Sequence, residues 1–327
     1  MQKQIIKKYY KFFRVKHKTR LDNYLIETLP IMYTRSIIQK IIRLGNVYIN
    51  KTQIINKNYK LNKKDIIEIY NLYIKTPKFF LKSENIKLHI IYEDEYLLII
   101  NKPFNSVVHP GTSNPKGTIL NGLKFYLETL EKNQLKKPYL GNRIDKETSG
   151  LIIVVTDEKI LKNISKQFTL NLIKKKYIAL VNGKIEKKNI TIYSKLLRNR
   201  KTKYNMEISK FRGKVCISSF KVIEILKYIT VLKCRLYTGR THQIRVHLKK
   251  IGHPIFNDKK YGGDQILCDN IPLCKKKIIN HIIKNSNFIA LHANSLELIH
   301  PIFRKNIKYN SIIPYQIYLL IKIMSTL

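Results

Sequence analysis

Arg143 and Asp145 stand two residues apart in the polar segment Gly141-Asn142-Arg143-Ile144-Asp145-Lys146-Glu147-Thr148-Ser149-Gly150. That segment runs straight into the apolar stretch Leu151 to Val155, a candidate for a buried strand. An aspartate in such a loop can do one of two things. It can be a nucleophile, which needs an ionised carboxylate free to react. It can also be a turn aspartate capping the amides of Thr148 or Ser149. The loop alone leaves both readings open. Other chemistry finds little support. Cys216, Cys234, Cys268 and Cys274 form no C-x-x-C, and no histidine pair has zinc-ligand spacing near them. The other histidines, among them His109, His242, His247, His253 and His292, show neither H-E-x-x-H nor H-x-x-E-H. No metal and no organic cofactor is expected.

Charge suggests the partner. The chain of 327 residues carries 63 Lys and Arg against 21 Asp and Glu, a net charge of +42. Lysine and arginine that neutralise phosphates release condensed counterions, so nucleic acid is the natural polyanion. Most of these bases are lysines in a chain also rich in Ile, Asn and Tyr. AT-rich coding produces the same mixture, and compositional drift is the alternative source of part of the charge. The longest apolar runs, such as Tyr96 to Ile100 and Tyr318 to Ile323, are far short of a membrane span, so no membrane partner is expected. The N-terminal Met1 to Lys8 shows no apolar signal region or cleavage site. Together with unpaired cysteines this favours a reducing cytoplasm.

The elements that must position Asp145 fall into four blocks. Residues 1–16 are a basic, aromatic lead-in, either an RNA-contacting arm or an element packed on the next domain. Residues 17–70 read as a small α/β domain. A short helix comes after Arg20. A second starts near Thr34 and ends at Gly45, with Ile37, Ile38, Ile41 and Ile42 on its apolar face and Arg35, Gln39, Lys40 and Arg43 facing outward. Val47 to Ile49 and Ile66 to Ile69 come next as strands. Residues 71–88 are a linker broken at Pro77. Residues 89–327 carry many strand signals. In Thr230 to Leu236 alternation sets Leu232, Cys234 and Leu236 inward and Lys233 and Arg235 outward. Helix-like segments lie near 118–130, 157–173, 241–251 and 312–325. The chain therefore reads as α+β, a mixed and largely antiparallel sheet with flanking helices, beside the small N-terminal domain. The lysine runs 174–176 and 275–277 read as solvated loop.

The segment around Asp145 resembles the catalytic loop of the RluA-type pseudouridine synthases, in which R-[LI]-D precedes T-[ST]-G. Four further segments match that family in order. Asn101-Lys102-Pro103 with Val107-Val108-His109-Pro110-Gly111 resembles its first motif. Lys175-Lys176-Tyr177-Ile178-Ala179-Leu180-Val181 resembles K-x-Y-x-A-L-V. Thr238-Gly239-Arg240-Thr241-His242-Gln243-Ile244-Arg245-Val246-His247-Leu248, running on to Asp258 to Gly263, is the longest match. Leu291-His292-Ala293 with His300-Pro301 matches a late motif. The V-H-P-G form and the loop Asn114 to Thr118 lean toward the RluD-like branch. Within 17–70, Arg20-Leu21-Asp22, Thr34-Arg35-Ser36 and Gly45-Asn46-Val47-Tyr48-Ile49-Asn50 resemble an S4 RNA-binding domain.

The resemblance implies an RNA pseudouridine synthase that needs no cofactor. Asp145 is the implied nucleophile, Arg245 its partner cation and Tyr177 the active-site tyrosine. Arg143 is implied to fill the space of an extruded uridine, a job suited to a side chain that stacks and hydrogen-bonds at once. Ile144 is implied to pack on the target ring. Arg240, with Arg35, Lys40 and Arg43 of the small domain, is assigned to RNA binding. The histidines are held as structural or RNA-contacting. Large-subunit ribosomal RNA is the expected substrate, acted on by a monomer. The alternatives are a transfer-RNA enzyme and an RNA-binding assembly factor without catalysis. One departure stands out: Asn142 occupies a position where the family usually has His, so weaker support of the loop is expected there.

Overall fold

The apolar pattern folds the chain into two units, residues 1–80 and 81–327. The computed structural model describes residues 9–29, 33, 35–70, 81–111, 114–130, 137–199, 202, 205–265 and 271–327. The basic stretch 1–8, Thr34, most of the expected linker (71–80) and Cys268 lie outside them.

The small unit contains β1 (Tyr9–Arg14), β2 (Thr19–Arg20), α1 (Leu21–Thr28), α2 (Arg35–Arg43), β3 (Val47–Ile49), β4 (Thr52–Gln53), β5 (Lys60–Leu61) and β6 (Ile66–Tyr70). Its sheet runs β1-β6-β3-β4, with β2 and β5 paired apart. Leu21, Leu25, Ile38, Ile41 and Ile42 pack on Val47, Ile49, Ile67 and Ile69 to make the core. The helix-period apolar stripe and the strand alternation thus meet face to face. Of the two readings of the lead-in, the strand is the one found, and 9–14 belongs to the small unit's sheet, so the boundary expected at 16/17 shifts toward the N-terminus.

The large unit comprises β7 (Ile90–Glu93), β8 (Leu97–Lys102), α3 (Ile119–Thr129), β9 (Tyr139–Leu140), β10 (Ser149–Val155), α4 (Glu158–Thr169), β11 (Lys174–Asn182), β12 (Asn189–Arg198), β13 (Met206–Ser209), β14 (Lys214–Ile225), β15 (Ile229–Leu236), α5 (Gln243–Lys250), α6 (Leu273–Asn285), β16 (Leu291–Ile299), β17 (Asn306–Asn310) and α7 (Tyr315–Thr326). Eleven strands form one sheet in the order β13-β12-β14-β15-β11-β16-β10-β8-β7, with β17 joining β16 and β9 joining β10. Segment 81–88, expected as linker, is tied to this unit: Lys82 O accepts the Asn121 side chain at 2.8 Å, and the Glu84 amide donates to Asn121 O at 3.2 Å.

Every described strand pair of this sheet is antiparallel except β10 with β16, which run parallel and meet at Ser149–His292 and Gly150–Ala293. The backbones come so close there that only glycine fits at 150. Gly150 has φ +117°, and a Cβ on it would lie 2.3 Å from the Ala293 carbonyl oxygen. Gly150→Ala is therefore expected to cost about 3 kcal/mol or more, through strain and clash together. A urea titration showing less than about 1 kcal/mol of loss would contradict this.

Two expectations fail. The lysine run 174–176 is not loop: it opens β11, a central strand paired with β15 on one side and β16 on the other. The run 275–277 lies inside α6, which buries only Ile279 and Ile283 and leaves most of its surface to solvent. A helix with so narrow a buried stripe looks polar in sequence. Among the described residues no helix is long and apolar enough to cross a membrane.

Candidate active site

The loop carrying Asp145 is tied to β10 where it begins. The Gly141 amide donates to Ile153 O at 2.8 Å, and Asn142 Oδ1 accepts the Ile153 amide at 2.7 Å. The uncharged Asn142 thus ties the loop to β10. The Thr148 amide donates to Asp145 O at 3.1 Å, so Asp145's backbone closes the turn while its side chain is used elsewhere.

Beneath the loop lies Lys102, fully buried, whose Nζ donates to Pro103 O, Ser106 O and Lys146 O at 2.9 to 3.0 Å. The protonated form supplies three donors to three carbonyls; the neutral amine, which predominates above about pH 7, supplies two. Burial pulls its pKa down to about 7, against the opposing pull of Asp145 and Glu147. The lysine looked in sequence only like the residue that stops a strand before Pro103. Lys102→Met is expected to cost about 2–4 kcal/mol by stranding carbonyls. The pH dependence has a definite sign. Between about 7 and the ordinary value of 10.5 the unfolded chain holds this proton and the native chain does not. Stability contributed by this group therefore rises with pH across that window and falls as pH drops toward 7. The wild type should show that slope relative to Lys102→Met; parallel stability curves would exclude it.

Helix α5 brings the opposing wall. Its first residue, Gln243, saturates its amide: Oε1 accepts from Thr238 Oγ1 and the Arg240 amide, while Nε2 donates to Ile217 O and Ser218 Oγ. This pins the Thr238 to Thr241 loop to β14. Two residues on, Arg245 is 2% exposed. Its Nε and Nη2 donate to Asp258 at 2.6 and 2.7 Å, and its Nη1 donates to Asp145 Oδ2 at 3.1 Å. Asp258 is itself fully buried. The planar guanidinium can bridge two carboxylates in one plane, which an ammonium cannot. Burial opposes its charge, but Asp258 and Asp145 outweigh that and hold the proton more tightly than usual. Sequence had matched the segment containing Asp258 but assigned this residue no role.

Three more groups surround Asp145. His242 Nδ1 lies 2.8 Å from the Tyr261 hydroxyl, which accepts the Met206 amide at 2.9 Å. The other ring nitrogen, Nε2, stands 3.8 Å from Asp145 Oδ2. Burial lowers the His242 pKa, with Asp145 pulling the other way and Arg245 adding to the fall. Glu147 lies 3.8 Å from both Arg245 and Lys260. Its burial is outweighed by its own backbone amide and these cations, and its pKa falls. Tyr177 is buried, and burial, then the charge of Asp145, pushes its pKa up and keeps it a neutral phenol.

A cavity of about 850 Å³ opens among these groups. It lies within the usual range of ligand pockets, about 300–1,000 Å³. Arg143, Ile144, Asp145, Tyr177, Arg240 and Arg245 all line it. The structure therefore brings together six of the residues singled out by sequence. Arg143 and Arg240 are exposed at its edge, and Ile144 is partly buried.

Arg35, Lys40 and Arg43 share helix α2 of the small unit and are exposed. Arg35 is not loose: with Arg20 and Gln39 it converges on the fully buried Asp22 at 2.9 to 3.1 Å. Burial works against that carboxylate, but the three donors outweigh it and bring its pKa down to about 2 from 3.8. Its contribution to stability is thus present above pH 4 and lost as pH falls toward 2. Asp22→Asn is expected to cost the small unit about 2 kcal/mol at pH 7 and to flatten its acid unfolding. Unchanged acid unfolding would contradict this.

Comparison with known proteins identifies the family. A family model described as RNA pseudouridylate synthase matches residues 96–250, and an S4 domain model matches 19–67. Ribosomal large subunit pseudouridine synthase D of Blochmanniella floridana is 35% identical over 310 residues, spanning 93% of this chain and 94% of that protein. The uncharacterized RNA pseudouridine synthase YlyB of Bacillus subtilis is 32% identical over 90% of each chain. Among solved structures, human RNA pseudouridylate synthase domain containing 4 superposes with a TM-score of 0.57 over 70% of this chain and 90% of its own, at 21% identity. That likeness concerns the fold. The chain belongs to the RNA pseudouridine synthase family, isomerases of the uridine base, and carries an S4 domain at its N-terminal end.

Proposed function

We propose that this enzyme converts uridine to pseudouridine in large-subunit ribosomal RNA, with Asp145 as nucleophile acting on a nucleotide flipped into the cavity. The observation that carries the reading is the Asp145–Arg245 contact at 3.1 Å inside a cavity that also holds Tyr177. The ribosomal substrate rests on relatives named as ribosomal large subunit synthases.

The reaction breaks the bond from C1′ to N1, forms one from C1′ to C5, and moves one proton from C5 to N1. Nothing is oxidised or lost. It needs a carboxylate to engage the nucleotide while the base turns, and groups that hold the base meanwhile. Arg245, locked by Asp258, presents a fixed positive charge to Asp145 and cannot swing away. Tyr177, as a neutral phenol, lies against the uracil and can relay a proton. Arg143 enters the stem as the uridine leaves, offsetting a few kcal/mol of lost stacking and pairing. Ile144 packs on the ring. Arg35, Lys40 and Arg43 add phosphate contacts that supply affinity without sequence.

Tritium release from ribosomal RNA labelled at uridine C5 tests this. Turnover is expected with large-subunit RNA. Turnover confined to transfer RNA would move the substrate, and no turnover with either would leave an RNA-binding assembly factor.

A further inference from the structure

Of the three lysines that open β11, only one faces the cavity. Lys174 pairs with Glu297 at 2.5 Å. Lys176 sits opposite Arg235 and Ser295 on the other face of the strand. Lys175 is two residues from Tyr177, and strand alternation sets both on one face. Both line the cavity with Asp145.

Lys175 has no acid to answer it. Its Nζ stands 5.0 Å above the Phe168 ring, and among the described residues no carboxylate lies within ion-pair distance. Asp145 is already held by Arg245, and Glu147 lies 3.8 Å from both Lys260 and Arg245. Gly239 lies beside it: a Cβ there would come to 3.1 Å from the Lys175 ammonium. Burial strips water from this ammonium and lowers its pKa to about 8, so an anion arriving beside it would be strongly welcomed. Uracil and ribose are uncharged. The anionic groups of an RNA substrate are its phosphodiesters.

We infer that Lys175 binds a phosphate flanking the flipped uridine and so grips the target nucleotide from the side of the cavity beside Gly239. This rests on the synthase reading. It gives Lys175 a task distinct from Asp145 and Tyr177: to hold the backbone of the extruded nucleotide while the base is free to turn. A compact ammonium suits a slot bounded by an aromatic ring and a glycine.

The test uses a large-subunit RNA stem-loop with the target uridine, made with a normal backbone or with an uncharged methylphosphonate at the linkage 5′ or 3′ of that uridine. Lys175→Met in the full-length chain is expected to raise KM about 10-fold while kcat changes less than about 3-fold. In an Asp145→Asn background, where RNA is not converted, it should weaken binding and reduce the slope of log Kd against log salt by about 1. At one linkage the methylphosphonate should cost the wild type what Lys175→Met costs, and the two changes together should cost no more than either. Additive losses at both linkages, or a collapse of kcat with unchanged Kd, overturn the assignment. If the unmodified chain turns over no RNA, the synthase reading falls, while the binding cycle still decides whether Lys175 meets a phosphate.

Discussion

Asp145→Asn should abolish turnover and leave a folded protein that still binds RNA. An amide cannot take the nucleophile's part, and loss of a nucleophile costs on the order of 10⁴ to 10⁶ in kcat. The fold has little reason to object. The amide oxygen can still accept the Arg245 Nη1 hydrogen bond, and Asp258 continues to hold the guanidinium by two bonds. Stability in urea should stay within about 1 kcal/mol of wild type. Mass spectrometry of the purified variant guards against deamidation back to aspartate. Retention of more than about 1% of turnover would remove Asp145 from the nucleophile's role.

Arg245→Met should damage both structure and activity. It leaves Asp258, which is fully buried, without its bidentate partner. Removing one member of a buried ion pair costs about 3–5 kcal/mol because the remaining charge is uncompensated. Asp145 also loses the cation held against it at 3.1 Å. Arg245→Lys should not rescue either property, since an ammonium cannot satisfy Asp258 with two parallel bonds while reaching Asp145. The informative control is the double variant Arg245→Met, Asp258→Leu. Replacing both charges by apolar groups should recover much of the lost stability with no recovery of turnover. Were the double variant to regain activity, Arg245 would serve the fold alone.

The residues proposed for catalysis were more legible than their supports. Asp145, Arg245, Tyr177 and Arg143 stand in motifs whose residue types match the chemistry, and α5 was readable because Ile244, Leu248 and Ile251 recur at helical spacing. Asp258 and Lys102 were not readable in the same way. Their importance lies in what they touch, and an aspartate 13 residues beyond Arg245 becomes its partner only through the turn that Gly263 closes onto Asp258. Local pattern also misjudged the lysines. Lys174, Lys175 and Lys176 look solvated as a run, yet a strand deals them alternately to an ion pair, a cavity and the opposite face. Helix α6 was hidden because two buried isoleucines are too few to print a period. β1 is not legible locally, since six residues paired to a strand more than fifty positions away carry no local signal of that partnership.

The parallel meeting of β10 and β16 has a bearing on biosynthesis. Ser149 Oγ hydrogen-bonds His292 across 143 residues of chain, and Asp145 finds Arg245 across 100. A ribosome releases the chain from its N-terminal end, and the small RNA-binding unit is complete once residue 70 has emerged. The loop meets Arg245 only after residue 245 has emerged, and β10 meets its parallel partner only after residue 292, and such distant pairings form slowly. A chain that stops before residue 291 lacks β16 and leaves the Ser149–Gly150 end of β10 without its parallel partner.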